Sequence, residues 1–153
     1  MKVLDRSDRK ALLEELEREF GIDEIPQDLV LVEASEGKVR AVTREAYETA
    51  HRIGKVEALG LYVLKRTKFG LYLSVEGSQL FGPRLRRNVV ELNAAQLERW
   101  ASGQPIDISE LGADPEASFV VARHGPLFAG SGKVSRDGKV HPQIPKERRT
   151  PVE

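Results

Sequence analysis

Ala129-Gly130-Ser131-Gly132-Lys133-Val134 is the one stretch of this chain that resembles a phosphate-binding loop. A P-loop needs Gly five positions before its last Gly and Ser or Thr after its Lys, so that backbone N–H groups and a hydroxyl meet phosphates and metal. Those positions hold Leu127 and Val134, and the pattern fails. Small residues in an extended run point instead to a strand packed closely against neighbouring backbone. The three histidines, His51, His124 and His141, stand far apart and outside any metal-ligand spacing. Glu14, Glu15, Glu17 and Glu19 belong to the solvated side of an amphipathic stretch. Cysteine is absent, which excludes disulfides, thiolate-bound zinc and cysteine nucleophiles. No Gly-x-Ser-x-Gly elbow or Gly-x-Gly-x-x-Gly fingerprint occurs. This inventory predicts no catalytic residue, no metal and no cofactor.

What remains to do chemistry is charge. The 153 residues carry 24 Lys+Arg against 24 Asp+Glu, a net charge of zero that by itself argues against a surface coated in nucleic-acid affinity. The order along the chain says more. From Lys65 to Arg87, Lys65, Arg66, Lys68, Arg84, Arg86 and Arg87 face a single acid, Glu76. From Asn88 to Ser118 the sign reverses, with Arg99 among Glu91, Glu98, Asp107, Glu110, Asp114 and Glu116. From Arg123 to Arg149, seven bases stand against Asp137 and Glu147. A neutral chain with charge in blocks can still own a basic face.

The elements that must position these charges follow from periodicity and capping. Ser7 is a candidate N-cap for a helix over roughly 8–20, with Leu12, Leu13, Leu16 and Phe20 on one face and Gly21 ending it. Leu29–Glu33 and Lys38–Val42 flank Ala34–Gly37 as a hairpin, and Thr43 caps a second helix carrying Ala46, Tyr47 and Ala50. Val56–Arg66 and Gly70–Ser74 read as a further strand pair. Asn88–Leu92 is a strand; Asn93 and Gln96 have capping-box spacing; Leu97 and Trp100 face inward; Ser102-Gly103 ends that helix. Asp107–Glu116 reads as a loop. Ser118–Arg123, Phe128–Val134 and Lys139–Ile144 are strands joined by turns at Gly125-Pro126 and, in a tight hairpin, at Asp137-Gly138. Strand, helix and several short strands suggest a compact barrel plugged by one helix. At 40% apolar and 31% charged the chain is globular, with room for one ordinary domain or two very small ones. No apolar run is long enough to span a bilayer, and Met1–Arg6 turns charged at once, so a cytoplasmic location and no membrane partner are expected.

Two segments carry a resemblance. Ala58–Val63 running into Leu71–Leu80 resembles the region before the PUA domain in archaeal 5-methylcytosine RNA methyltransferases of the Sun/NOL/NOP type and in the Nip-type ribosome-biogenesis factors. Asn88–Leu92, Trp100–Ile106, Ser118–Val134 and Pro145–Arg149 are similar to the PUA core itself. The resemblance implies an α+β chain: a small N-terminal α/β domain, helices on an antiparallel sheet, over residues 1–86, then a PUA-type β-barrel with one capping helix over 87–153. It implies an RNA-binding module for rRNA or tRNA. The methyltransferase half, with its cofactor-binding sheet and cysteine nucleophile, has no counterpart here, so the chain is expected not to be an enzyme.

On that reading Arg123, Lys133, Arg136, Lys139, Lys146, Arg148 and Arg149 share one barrel face and hold phosphates. Gly103 matches the turn that PUA domains bring close to RNA, and is equally a helix C-cap. Arg84, Arg86 and Arg87, at the junction, extend the patch. Trp100 and Phe119 read as core rather than as stacking platforms. Two functions from different classes follow: an RNA-binding adaptor for rRNA or tRNA modification or ribosome biogenesis, or a scaffold whose acidic stretch docks a ribosomal protein or an RNA methyltransferase. A small enzyme built from scattered residues is a third, weaker reading.

Overall fold

Asp5, not Ser7, starts the first helix. Its carboxylate accepts from the Asp8 amide at 2.8 Å while the Asp8 carboxylate accepts from the Asp5 amide at 3.1 Å. This reciprocal box satisfies two orphan amides where Ser7 would satisfy one, and so moves the start of α1 (Arg6–Phe20) forward. Gly21 ends α1 at φ 70°, in the left-handed region. Arg9 ties the helix down: its guanidinium donates to the carbonyls of Leu29 at 2.7 Å and Pro26 at 3.1 Å.

The computed structural model describes residues 2–54 and 60–151. β1 (Lys2–Val3), β2 (Leu29–Glu33), β3 (Lys38–Thr43), β4 (Leu61–Thr67) and β5 (Gly70–Leu73) form one antiparallel sheet in sequential order. The first residues expected in the third of the longer strands, 56–59, lie outside the described residues. Thr43 caps α2 (Arg44–Ile53) as its position predicts, accepting from the Ala46 amide at 3.2 Å. Alternation along the strands sends Leu31, Val39 and Ala41 into the core that holds Leu12, Leu16 and Phe20 of α1. Val30, Val32 and Val42 point the other way, against Ala46 and Tyr47 of α2. The two helices therefore lie on opposite faces, with α2 over β2 and β3.

Sequence periodicity assigns nothing between Ser74 and Arg87. The structure places a helix there, α3 (Val75–Phe81), capped by the Ser74 hydroxyl on the Gly77 amide at 2.9 Å, then a 3-10 turn over Gly82–Arg84. It is short and carries a glycine, so no apolar stripe marks it. Gly77 is required by packing: a Cβ there would run into the Val63 carbonyl. One residue on, the Ser78 hydroxyl accepts from the Gly130 amide at 2.9 Å. α3 thus lies against both sheets.

The second sheet has the order β6-β8-β9-β10-β7, from β6 (Val89–Glu91), β7 (Ile106–Asp107), β8 (Phe119–His124), β9 (Leu127–Val134) and β10 (Lys139–Pro142). Among the described residues its one parallel pair is β6–β8. α4 (Ala94–Ala101) connects β6 to β7 and starts with the expected box, in which Asn93 and Gln96 exchange two 2.8 Å bonds. Trp100 is fully buried, its indole N–H on the Ala129 carbonyl at 2.9 Å, within a core of Val90, Leu92, Ile106, Val120, Ala122 and Val140. The stretch expected as a loop holds the end of β7 and a one-turn helix, α5 (Ile108–Leu111), because Ile108 and Leu111 pack on that core. The turn at Asp137-Gly138 spans three residues: Ser135 accepts from Gly138 at 3.2 Å and donates to Lys139 at 2.9 Å, with Gly138 at φ 82°.

The outer face of β8 closes the other core. Phe119 and Val121 join Leu12, Leu71, Leu73 and Phe81, while Val120 and Ala122 face the barrel interior. Both Trp100 and Phe119 are buried, as read from their positions. The architecture is the expected α+β arrangement, helices on an antiparallel sheet followed by a curled sheet with one capping helix.

Candidate nucleic-acid interface

The strands divide the seven bases of Arg123–Arg149 among different ends of the barrel. Arg123 stands opposite Phe128 and Lys133 opposite Phe119. Those β9 positions are separated by roughly 17 Å at about 3.3 Å per residue. Arg123, beside the β8–β9 turn, donates to Glu91 of the parallel strand β6 at 2.8 Å. Glu91 also accepts from the Gly125 amide at 2.8 Å; that bond, then Arg123, holds its carboxyl below the ordinary range. Lys133, Arg136 and Lys139 gather at the opposite end, around the β9–β10 turn. There Lys139 reaches Asp107 at 3.2 Å and Arg136 is exposed. His141 bonds Asp137 at 2.8 Å, which lowers the Asp137 carboxyl.

Lys146, Arg148 and Arg149 form the third group, on a 3-10 turn over Lys146–Arg148 and just beyond it. The tail folds back on α4: Thr150 donates to the Ala101 carbonyl at 3.0 Å, and Arg149 donates to the Ile144 carbonyl at 3.0 Å. Gly103, at φ 83°, lies under the Arg149 side chain, so a Cβ there would meet the guanidinium and its stem. Close approach at Gly103 is therefore filled by Arg149. Arg148 pairs with Glu76 of α3 and rims a groove of about 210 Å³ lined by Trp100, Leu127, Phe128 and Ile144. Arg84 and Arg86 pair with Glu24 and Asp23 at 3.6 and 3.2 Å, and Arg87 is exposed beside Gly21.

Blocks that are separate in sequence interleave in space. Glu91 and Asp107 of the acidic block meet Arg123 and Lys139 of the basic block, because β6 and β7 are the strands flanking β8 and β10. Arg99 takes a further acid, Glu110, at 3.1 Å. Such exposed pairs contribute little stability, but they neutralise charge locally.

Sequence reasoning counts Lys65 among the bases but does not join it to Lys38 and Arg40, which form with it a second basic group on the N-terminal sheet. Lys38 and Arg40 of β3 stand opposite Lys65 and Tyr62 of β4, and Lys65 opposite Tyr72 of β5. The two tyrosine hydroxyls are 3.2 Å apart, and burial together with that bond pushes the Tyr62 phenol well above its usual range, so it stays neutral. The available signal was alternation: Lys38 and Arg40 are two apart in a strand whose intervening residues are buried. Among the described residues no group of His, Asp or Glu is placed to hold a metal ion, and no helix is long and apolar enough to cross a membrane.

Residues 89–144 match the model of the family described as pseudouridine synthase II TruB, C-terminal. That span runs from β6 past the end of β10, the whole curled sheet with its helix, and supports a PUA-like RNA-binding domain there. No curated protein matches the chain.

Proposed function

We propose that this chain is a non-catalytic RNA-binding protein that holds rRNA or tRNA through its C-terminal barrel. Its role is an adaptor in RNA modification or ribosome biogenesis, of the kind its likeness to the Sun/NOL/NOP methyltransferase extensions and the Nip-type factors implies. The observation that carries this reading is the family match over residues 89–144, which spans the barrel and belongs to the C-terminal part of an RNA-modifying enzyme. The tail supplies the contact: Lys146 and Arg148 are exposed beside the groove over Trp100, and Arg149 overlies Gly103. Arg136, Lys133 and Lys139, at the other end of β9, are a secondary set. Docking a ribosomal protein or methyltransferase through the acidic stretch is less favoured, since Glu91, Asp107 and Glu110 already hold Arg123, Lys139 and Arg99.

The test is a fluorescence-anisotropy titration with a structured RNA hairpin at several salt concentrations. Arg148→Glu/Arg149→Glu should weaken binding steeply and flatten the log–log salt slope by about 0.7–0.9 for each phosphate no longer held. Lys10→Glu/Arg18→Glu is the matched control, both positions being exposed on α1. Arg9 is unsuitable for it because it bonds two carbonyls. Equal affinity and slope for the tail variant and the unaltered protein would remove the tail from the interface.

A further inference from the structure

A row of cations and aromatic rings crosses both sheets. On the N-terminal sheet Lys38 stands opposite Lys65, and Lys65 opposite Tyr72. In the barrel Phe119 stands opposite Lys133, and Lys133 opposite His141. The Tyr72 and Phe119 rings, 5.3 Å between centroids, join the two halves. Directly opposed residues share one face of a sheet, so these six lie on a line of roughly 24 Å at about 4.8 Å per strand. Side members thicken it. The Lys38 ammonium lies 5.6 Å from the Tyr62 ring, and Tyr62 is bonded to Tyr72. Phe69, 52% exposed at the β4–β5 turn, has the Lys133 ammonium 3.5 Å from its centroid and that of Lys68 at 5.1 Å.

Two features separate this row from an ordinary solvated sheet. Lys38, Arg40, Lys65, Lys68 and Lys133 hold no carboxylate among the described residues, whereas Arg123, Lys139 and Arg148 each hold one. Lys38 and Lys65, moreover, are directly opposed, and like charges across a strand pair work against folding. A phosphate lying between them reverses that repulsion.

We propose that this row is a second RNA-contact surface, taking unpaired nucleotides that flank the element held by the barrel. The cations hold phosphates while Phe69, Tyr72 and Tyr62 offer rings to bases, the combination that single-stranded nucleic acid requires. A duplex keeps its bases stacked inside and has no use for the rings; an acidic peptide would use the cations alone. The choice of RNA rests on the function proposed above, while the juxtaposition of charge and ring belongs to this face by itself.

The experiment titrates the full chain with a labelled oligouridine of about twelve nucleotides, within the usual range of site sizes, with a hairpin, and with that hairpin carrying an oligouridine tail. Lys65→Glu should weaken oligouridine binding and flatten its salt slope by roughly 0.7 for the one phosphate released. Its melting temperature should hold or rise, because a carboxylate at that position would attract Lys38. Phe69→Ser should lose about tenfold in affinity, the order of one base–ring stack, with the slope unchanged. Both variants should bind the bare hairpin normally and lose the gain from its tail. Normal oligouridine binding by both variants overturns the proposal, as does polyglutamate competing equally well while Phe69→Ser changes nothing. If the unaltered protein takes oligouridine but ignores the hairpin, this face stands and the barrel reading falls. If it takes the hairpin but neither tail nor oligouridine, this proposal alone falls; if it binds none of the three, both fall.

Discussion

The backbone amide of Leu73, the last residue of β5, donates to the hydroxyl of Ser131 in the middle of β9, 2.9 Å away and 58 residues along the chain. Both residues are buried. β5 is an edge strand whose outward N–H groups need partners, and here one is met by a side chain of the other sheet.

Ser131→Ala should therefore leave a buried donor unsatisfied and cost about 1–3 kcal/mol. The core that contains Leu12, Leu73, Phe119 and Val121 is continuous across the two sheets. Calorimetry should accordingly show a single transition for both the unaltered protein and the variant. Two separated transitions would contradict the shared core.

Glycines at close approaches should prove far less replaceable than those at open turns. A Cβ on Gly132 would sit 2.5 Å from both Trp100 and Val140, and one on Gly77 would strike the Val63 carbonyl. Gly77→Ala and Gly132→Ala should each cost about 1–3 kcal/mol or more by overpacking. Gly125, at φ 57° with open space around it, should cost only about 1 kcal/mol through backbone strain. Chemical denaturation of the three variants checks the order.

The Glu91 carboxyl titrates below its usual range when folded, held there by the Gly125 amide and Arg123. A depressed folded value means the carboxylate favours folding above the ordinary carboxylate range and stops doing so as pH falls through the folded value. Denaturation midpoints of the unaltered protein and of Glu91→Gln, taken from about pH 7 down to about pH 3, should converge at the acid end. A gap that stays constant with pH would mean that Glu91 acts there only by shape.

Local signals were the legible ones. The β2–β3 hairpin, the Thr43 cap and the Asn93–Gln96 box all lie within a few residues of their partners, and each forms as its spacing predicts. Ser7 misleads because Asp5 and Asp8 satisfy two amides together. α3 escapes because its glycine and its serine, Gly77 and Ser78, serve contacts with Val63 and Gly130, which no periodicity records. The basic residues could be counted from the chain but not paired. Arg123 meets Glu91 only through a parallel strand pairing 32 residues apart, and Lys139 meets Asp107 across a barrel edge. The row through Lys38, Lys65 and Tyr72 needs the register of three strands, including a bulge between Val39 and Arg40.

Because Phe119 and Val121 finish the core begun by Leu12 and Leu16, the first half of the chain leaves the ribosome with that core still open. Until β8 emerges, β5 is a bare edge beside uncovered apolar side chains, the state in which a nascent chain is most prone to pair with the wrong strand. Slowing translation while β8 is still inside the ribosome should lengthen that exposure, whereas a pause once β8 and β9 have emerged finds that core already complete.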